Sequence, residues 1–132
     1  MRDTLILFTQ AQDQSELIAR VNRFSVTASP EVDFRYYSSW ECVFGVSDSS
    51  DVVADCEAVE LDYVRNRIGA YCATLLEYQS MSCARRFLEN VLPGLSGVVD
   101  TNYGAFVSYC GVLKWLSRYP ERHFREGPPA LT

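Results

Sequence analysis

The single histidine, His123, is the residue best suited to general acid-base chemistry in this chain. The cysteine that most closely precedes it, Cys110, is the natural nucleophile for a Cys-His pair. In one unbroken helix the two residues would lie about 20 Å apart at a rise of about 1.5 Å per residue, and a break at Pro120 would have to fold the chain back. With Arg122 and Arg125 beside it, His123 is more simply a cation near a helix C-terminus. We therefore predict no catalytic residue and no enzyme activity.

Cysteines and carboxylates can also bind metals, but their spacing here matches no known metal site. The five cysteines form no Cys-x-x-Cys pair and have no histidine nearby, so we interpret them as free thiols that pack like small apolar side chains in a reducing compartment. They are Cys42, Cys56, Cys72, Cys83 and Cys110. The order of Asp48, Asp51 and Asp55 is not that of an EF-hand loop. We expect no metal and no cofactor.

Acidic side chains are concentrated between residues 31 and 62. Nine acids in this segment face a single base, Arg35, whereas the net charge of the whole chain is −5. The acids are Glu31, Asp33, Glu41, Asp48, Asp51, Asp55, Glu57, Glu60 and Asp62. Nucleic acids and anionic membranes attract positive surfaces, so neither is expected to be the main partner.

Three aromatic residues lie in the same acidic segment. Buried Tyr and Trp side chains supply much of the energy of protein interfaces, and acids at the rim accelerate encounter with a basic partner. The alternative is that the aromatic residues pack in the core and the acids only keep the domain in solution. The predicted partner-binding residues are Tyr36, Tyr37, Trp40, Asp48, Asp51, Asp55, Glu57, Glu60 and Asp62.

The elements that must position these residues form one α+β domain. We predict a globular domain over residues 1–126 and an irregular tail over 127–132, with an antiparallel or mixed sheet of about four to six strands and helices packed on one face. The chain contains no apolar run long enough for a membrane span or a signal-peptide core. We therefore expect the protein in the cytoplasm, without a membrane partner.

Alternation and apolar runs locate the strands, and a 3.6-residue period locates the helices. Strands are predicted at residues 4–9, 32–36, 41–46, 59–63, 71–78, 97–100 and 105–107, although residues 70–76 could also be helical. Helices are predicted after Asp13, after Ser80 or Ser82, and after Ser108, each residue acting as an N-cap. The first helix is expected to carry Phe24 on its apolar face and to end by Ser29-Pro30, and the last is expected to bury Tyr119.

The last third of the chain resembles a known class of proteins. Gly97-Val-Val-Asp-Thr-Asn-Tyr-Gly104, followed by Val112-Leu-Lys-Trp-Leu-Ser-Arg-Tyr-Pro120, is similar to the closing hairpin and helix of small bacterial toxin-immunity proteins, over about a quarter of the chain. After the proline this chain reads Glu121-Arg-His-Phe124, where that class carries a Trp-Asp-Trp-like ending. The resemblance implies an inhibitor that binds a cognate toxin and occludes its cationic active or substrate-binding surface.

Two other functions fit the same sequence features. An acidic secretion chaperone for an effector protein would also be small and α+β, but it would normally be a dimer. A small enzyme could use one polar side chain in a cleft, with Cys110, Asp100 and Tyr103 as candidates, since no sequence pattern excludes a convergent active site.

Overall fold

The computed structural model describes residues 3–26 and 35–130, which form seven strands and four α-helices. The strands are β1 (Asp3–Gln10), β2 (Ser25–Val26), β3 (Arg35–Ser39), β4 (Cys42–Ser47), β5 (Tyr71–Tyr78), β6 (Gly97–Asp100) and β7 (Phe106–Ser108). The helices are α1 (Gln14–Val21), α2 (Ala58–Ile68), α3 (Met81–Val91) and α4 (Tyr109–Arg118). Short 3-10 turns span Ala11–Asp13, Ser50–Val53 and Phe124–Glu126.

All strands belong to one antiparallel sheet in the order β2-β3-β4-β5-β1-β6-β7. Six strands have three or more residues, and β2 adds a two-residue edge. The α+β prediction, with an antiparallel sheet, is confirmed. Residues 32–34 of the strand predicted over 32–36 lie outside the described residues, and residues 35 and 36 begin β3. The predicted helix end at Ser29-Pro30 also lies outside the described residues.

β1 lies in the middle of the sheet and is buried on both faces, as its apolar run predicted. Leu5 and Leu7 point into the larger core, and Ile6 and Phe8 point into a smaller core on the opposite face. β1 pairs with β5 over its whole length and with β6 over four residues. Since side chains alternate along a strand, each face receives two large apolar residues from β1.

The two faces of the sheet carry different layers. α1, α3 and α4 cover the larger core, where the indole of Trp115 is fully buried, so the prediction of helices on one face holds for these three. α2 packs on the other face against Ile6 and Phe8 through Val64. Tyr119, predicted to be buried, is exposed instead, because α4 ends at Arg118 and the chain turns away.

The predicted strand over residues 59–63 is wrong, since these residues belong to α2. Leu61, Val64 and Ile68 recur at helical spacing and pack on the sheet, whereas Val59 is 67% exposed. The helix begins with a capping box, in which the backbone N–H of Glu57 donates to Glu60 Oε1 at 2.9 Å. The short alternation of apolar and acidic residues was therefore part of a longer helical pattern.

The interpretation of all five cysteines as free thiols is wrong for two of them. Cys42 of β4 and Cys83 of α3 form a disulfide across a Cα–Cα distance of 5.8 Å. Cys56, Cys72 and Cys110 are free. The bonded pair is separated by 41 residues in sequence, so the pairing depends on how α3 packs against β4 and leaves no local signal.

Most predicted helix caps are confirmed. Ser80 accepts a hydrogen bond from the backbone N–H of Cys83, and Ser108 accepts one from Gly111. Asp13 occupies the N-cap position of α1, but its carboxylate accepts a hydrogen bond from the N–H of Ser96 instead. Within the described ranges, no helix is long and apolar enough to cross a membrane.

Candidate partner-binding site

A cleft with a volume of about 440 Å³ opens on the α2 face of the sheet. It lies between β1, the segment that leads into α2, and the turn that joins β6 to β7. Its carboxylates come from Asp51, Asp55, Glu60 and Asp100, and among the described residues no lysine, arginine or histidine lines it. Four carboxylates in one cleft produce a negative potential that concentrates cations.

Local structure fixes two of these acids. The hydroxyl of Ser49 accepts a hydrogen bond from the backbone N–H of Asp51 and so caps the 3-10 turn that carries this residue. The capping box of α2 holds the carboxylate of Glu60 against the backbone of Glu57. At the rim of the cleft the backbone of Asp51 and the side chain of Glu60 are therefore held by capping hydrogen bonds.

Asp100 lies at the end of β6 and is only 7% exposed. Its Oδ1 accepts a hydrogen bond from the backbone N–H of Asn102 at 2.9 Å, which the left-handed conformation of Asn102 (φ 64°) makes feasible. Within residues 3–26 and 35–130 no second donor contacts this carboxylate. Burial raises the pKa of Asp100, the Asn102 hydrogen bond partly opposes the rise, and the charge of Glu60 adds to it.

Cys56 lies beside these acids in the cleft. Burial raises the pKa of its thiol, and the negative charges of Asp100, Glu60 and Asp55 raise it further. The thiolate is the nucleophilic form of cysteine, so this environment keeps the sulfur in its unreactive form.

Three of the predicted acids, Asp51, Asp55 and Glu60, meet in the cleft. Asp48 is exposed in the loop after β4, and Glu57 is exposed at the start of α2. Asp62 is exposed on α2, 3.5 Å from Arg65. The acids concentrated in the sequence therefore do not form one group: three of them line this cleft, whereas Asp48 lines a different concave surface beside Tyr71 and Cys72.

The predicted aromatic anchors do not join the cleft. Tyr37 is 2% exposed, and its hydroxyl donates to Asn22 Oδ1 inside the larger core, so we set it aside as a surface anchor. Tyr36 is half-buried on β3. Trp40 is 40% exposed in the β3–β4 turn, but its ring packs on Phe24, which belongs to the core on the face opposite α2.

His123 has both ring nitrogens occupied. Nε2 lies 3.1 Å from Asp3 Oδ2, and Nδ1 accepts a hydrogen bond from the backbone N–H of Arg125. Tyr103 donates its hydroxyl proton to the other carboxylate oxygen of Asp3 at 2.7 Å. The arginines that flank His123 had suggested a cation near the C-terminus of α4. His123 instead caps the N-terminus of the last 3-10 turn.

From the sequence, Asp100 stood out only as a candidate enzyme residue, and its place beside the acidic segment was missed. The sequence feature that could have identified it is an acid that ends the apolar strand Gly97-Val-Val-Asp100 directly before a turn.

In the part of the chain that the structure describes, no three His, Cys, Asp or Glu side chains are arranged to hold a metal ion. Comparisons with protein-family models, with curated proteins and with solved structures find no match to this chain.

Proposed function

We propose that this protein is an immunity protein, which binds a cognate bacterial toxin and covers the toxin's cationic active or substrate-binding surface. The observation that supports the proposal is the cleft that four carboxylates line and that receives no basic side chain from residues 3–26 and 35–130. Inhibition of this kind requires binding alone, so the mechanism needs no catalytic group and no cofactor.

The charge of the cleft favours one class of partner over another. A polyanion such as nucleic acid would be repelled by these carboxylates and would find no basic side chain in the cleft from the part of the chain that the structure describes. A toxin that acts on nucleic acids or nucleotides needs a cationic surface, and such a surface is attracted by the same field. Complementary charges accelerate the encounter and determine which partner is accepted.

An aromatic anchor is available beside the cleft. Tyr103 is exposed and lies between Asn102 and Gly104, which both line the cleft. Its hydroxyl is held by Asp3, so the ring is fixed before binding and loses little conformational freedom. We assign to Tyr103 the anchor role that the sequence had suggested for Tyr37.

The test compares two double variants with the same change in net charge. Asp51→Lys/Asp55→Lys reverses two cleft acids, and Asp48→Lys/Asp62→Lys reverses two exposed acids outside the cleft. The partner is first captured from the native cells with the tagged protein, and association rates are then measured at several salt concentrations. Only the cleft variant is expected to slow association, by about tenfold or more, and to flatten the salt dependence.

Two results would contradict the proposal. Equal slowing by both variants would show that overall charge, rather than the cleft, directs binding. If cells that express this protein are not protected from the captured partner acting as a toxin, the protein is not an immunity protein, even though it binds a basic partner.

The compartment is part of the same proposal. An immunity protein must meet its toxin where the toxin acts, and the sequence led us to expect the cytoplasm. The Cys42–Cys83 disulfide favours an oxidising compartment, since disulfides seldom persist in the cytosol. Acid quenching of intact cells followed by alkylation of the thiols in denaturant distinguishes the two: all five cysteines react if the compartment is reducing, and only the three free ones react if it is oxidising.

A further inference from the structure

We propose that the acidic cleft receives the guanidinium of an arginine side chain from the protein partner and that Asp100 is the residue that binds it. This inference rests on the proposed function, because it names the chemical group by which the partner enters the cleft. It starts from Asp100, which is more than nine-tenths buried, lines the cleft, and accepts only one hydrogen bond from the described residues.

The lining of the cleft is rich in hydrogen-bond acceptors. Besides the four carboxylates it includes Asn102, whose side-chain amide nitrogen donates to the hydroxyl of Thr4 at 3.0 Å. That bond uses a donor of Asn102 and leaves its amide oxygen as an acceptor. A site of this composition is complementary to a ligand that carries donors only, and guanidinium has five N–H donors and no acceptor.

The arrangement of the carboxylates favours guanidinium over a point charge. They do not converge closely enough for three of them to hold a metal ion, as far as the described residues go. A planar guanidinium spreads its donors over several directions and can bind one carboxylate with two parallel hydrogen bonds while reaching a second. A lysine ammonium concentrates its charge on one atom and cannot make that paired contact.

The apolar part of the lining suits the stem of an arginine side chain. Ile6, Val52 and Leu75 line the cleft together with the acids. Arginine has three methylene groups that pack against such surfaces while the charged end reaches polar groups. The volume of about 440 Å³ is within the usual range of pockets that receive a small organic group.

Binding of a cation should be coupled to the protonation of Asp100. Burial raises the pKa of this carboxyl in the free protein, and a guanidinium in contact with it would favour the charged form and lower the pKa again. The two equilibria are linked, so the affinity for the cation should fall as the pH falls through the pKa of Asp100.

The first experiment titrates the intact protein with n-butylguanidinium, followed by the backbone amide NMR signals of Cys56, Asn102 and Gly104. The matched ligand is n-butylammonium, which has the same charge and a similar stem. We expect n-butylguanidinium to shift these signals and to bind Asp100→Asn about tenfold to a hundredfold more weakly than wild type. Asp62→Asn, outside the cleft, should bind like wild type.

Equal affinity of the two ligands, or an unchanged affinity in Asp100→Asn, would overturn the assignment. If that variant does not fold, the carboxyl ¹³C signal of Asp100 in the wild-type protein gives the same answer. Its pKa should fall when n-butylguanidinium is added, and an unchanged pKa would overturn the proposal. These measurements need no partner, so loss of the proposed function and loss of the arginine site can be told apart.

Discussion

Removal of the Cys42–Cys83 disulfide is expected to lower the free energy of unfolding by about 4 kcal/mol. The bond joins residues that are 41 positions apart. Closing a loop of that length in the unfolded chain removes an entropy of about 2.1 + 1.5R ln n, or about 13 cal/mol/K, which is about 4 kcal/mol at 25 °C. Total stabilities of domains are about 5–15 kcal/mol, so the loss would be a large fraction of the whole.

The assay is urea unfolding of the oxidised protein, of the reduced protein, and of Cys42→Ala/Cys83→Ala. Alanine is chosen because both sulfur atoms are buried, and serine would place unpaired hydroxyls in the core. With a denaturant slope of about 2 kcal/mol/M, the midpoint should fall by about 2 M. Cys110→Ala is the control, since Cys110 is free and exposed and its replacement should leave the midpoint unchanged.

A loss below about 1 kcal/mol on reduction would refute the loop-entropy argument. A large loss in the double alanine variant with none on reduction would assign the effect to packing of the two side chains in the core. Equal losses in both would assign it to the bond itself, and the protein would then depend on an oxidising environment for most of its stability.

Three further predictions concern single side chains. The hydroxyl of Tyr78 is buried without a partner among the described residues, so Tyr78→Phe should raise the thermal midpoint by an amount that corresponds to about 1 kcal/mol. Tyr109→Phe removes a buried hydrogen bond and should lower the thermal midpoint by an amount that corresponds to about 1–2 kcal/mol. A Cβ at Gly97 would overlap the Tyr109 ring and a backbone oxygen of β1, so Gly97→Ala should lower the free energy of unfolding by about 1–3 kcal/mol in urea. The hydrogen bond from Tyr103 lowers the pKa of Asp3 below 3.8 in the folded protein. The stability that results is present above pH 3.8 and is lost as the pH falls through the pKa of Asp3 in the folded state. The free energy of unfolding of wild type should therefore exceed that of Tyr103→Phe fully at about pH 6, and the difference should shrink below about pH 4.

The central part of the fold could be predicted from local patterns. The apolar run of β1 indicated its strand, and Ser80 and Ser108 indicated where α3 and α4 begin. β5 was also predicted as a strand, although a helix over residues 70–76 had been left open. These signals succeed because each depends on residues that are close in sequence. α2 was predicted wrongly because a window of five residues showed alternation, whereas the stripe that packs on the sheet extends to Ile68.

The candidate site was predictable only in part. Asp51, Asp55 and Glu60 followed from the concentration of acids, which composition reveals. Composition does not reveal which side of a strand a residue faces, and so Tyr37 and Trp40 could not be told apart. In the structure Tyr37 pairs with Phe44 across the β3–β4 ladder and is buried, whereas Trp40 lies in the turn.

Under the proposed function, stability depends mainly on one face of the sheet and partner binding on the other. The face covered by α1, α3 and α4 contains most of the buried apolar residues. The Cys42–Cys83 disulfide joins β4 to α3 on this same face. On the α2 face Ile6, Phe8 and Val64 form a smaller buried cluster, and acids line the opening beside it. Because Asp51 and Asp55 are exposed and lie outside the larger core, their substitution should change partner affinity with little change in the free energy of unfolding. A cleft variant that loses both together would show that the acids support the fold, and the separation argued from the two cores would fail.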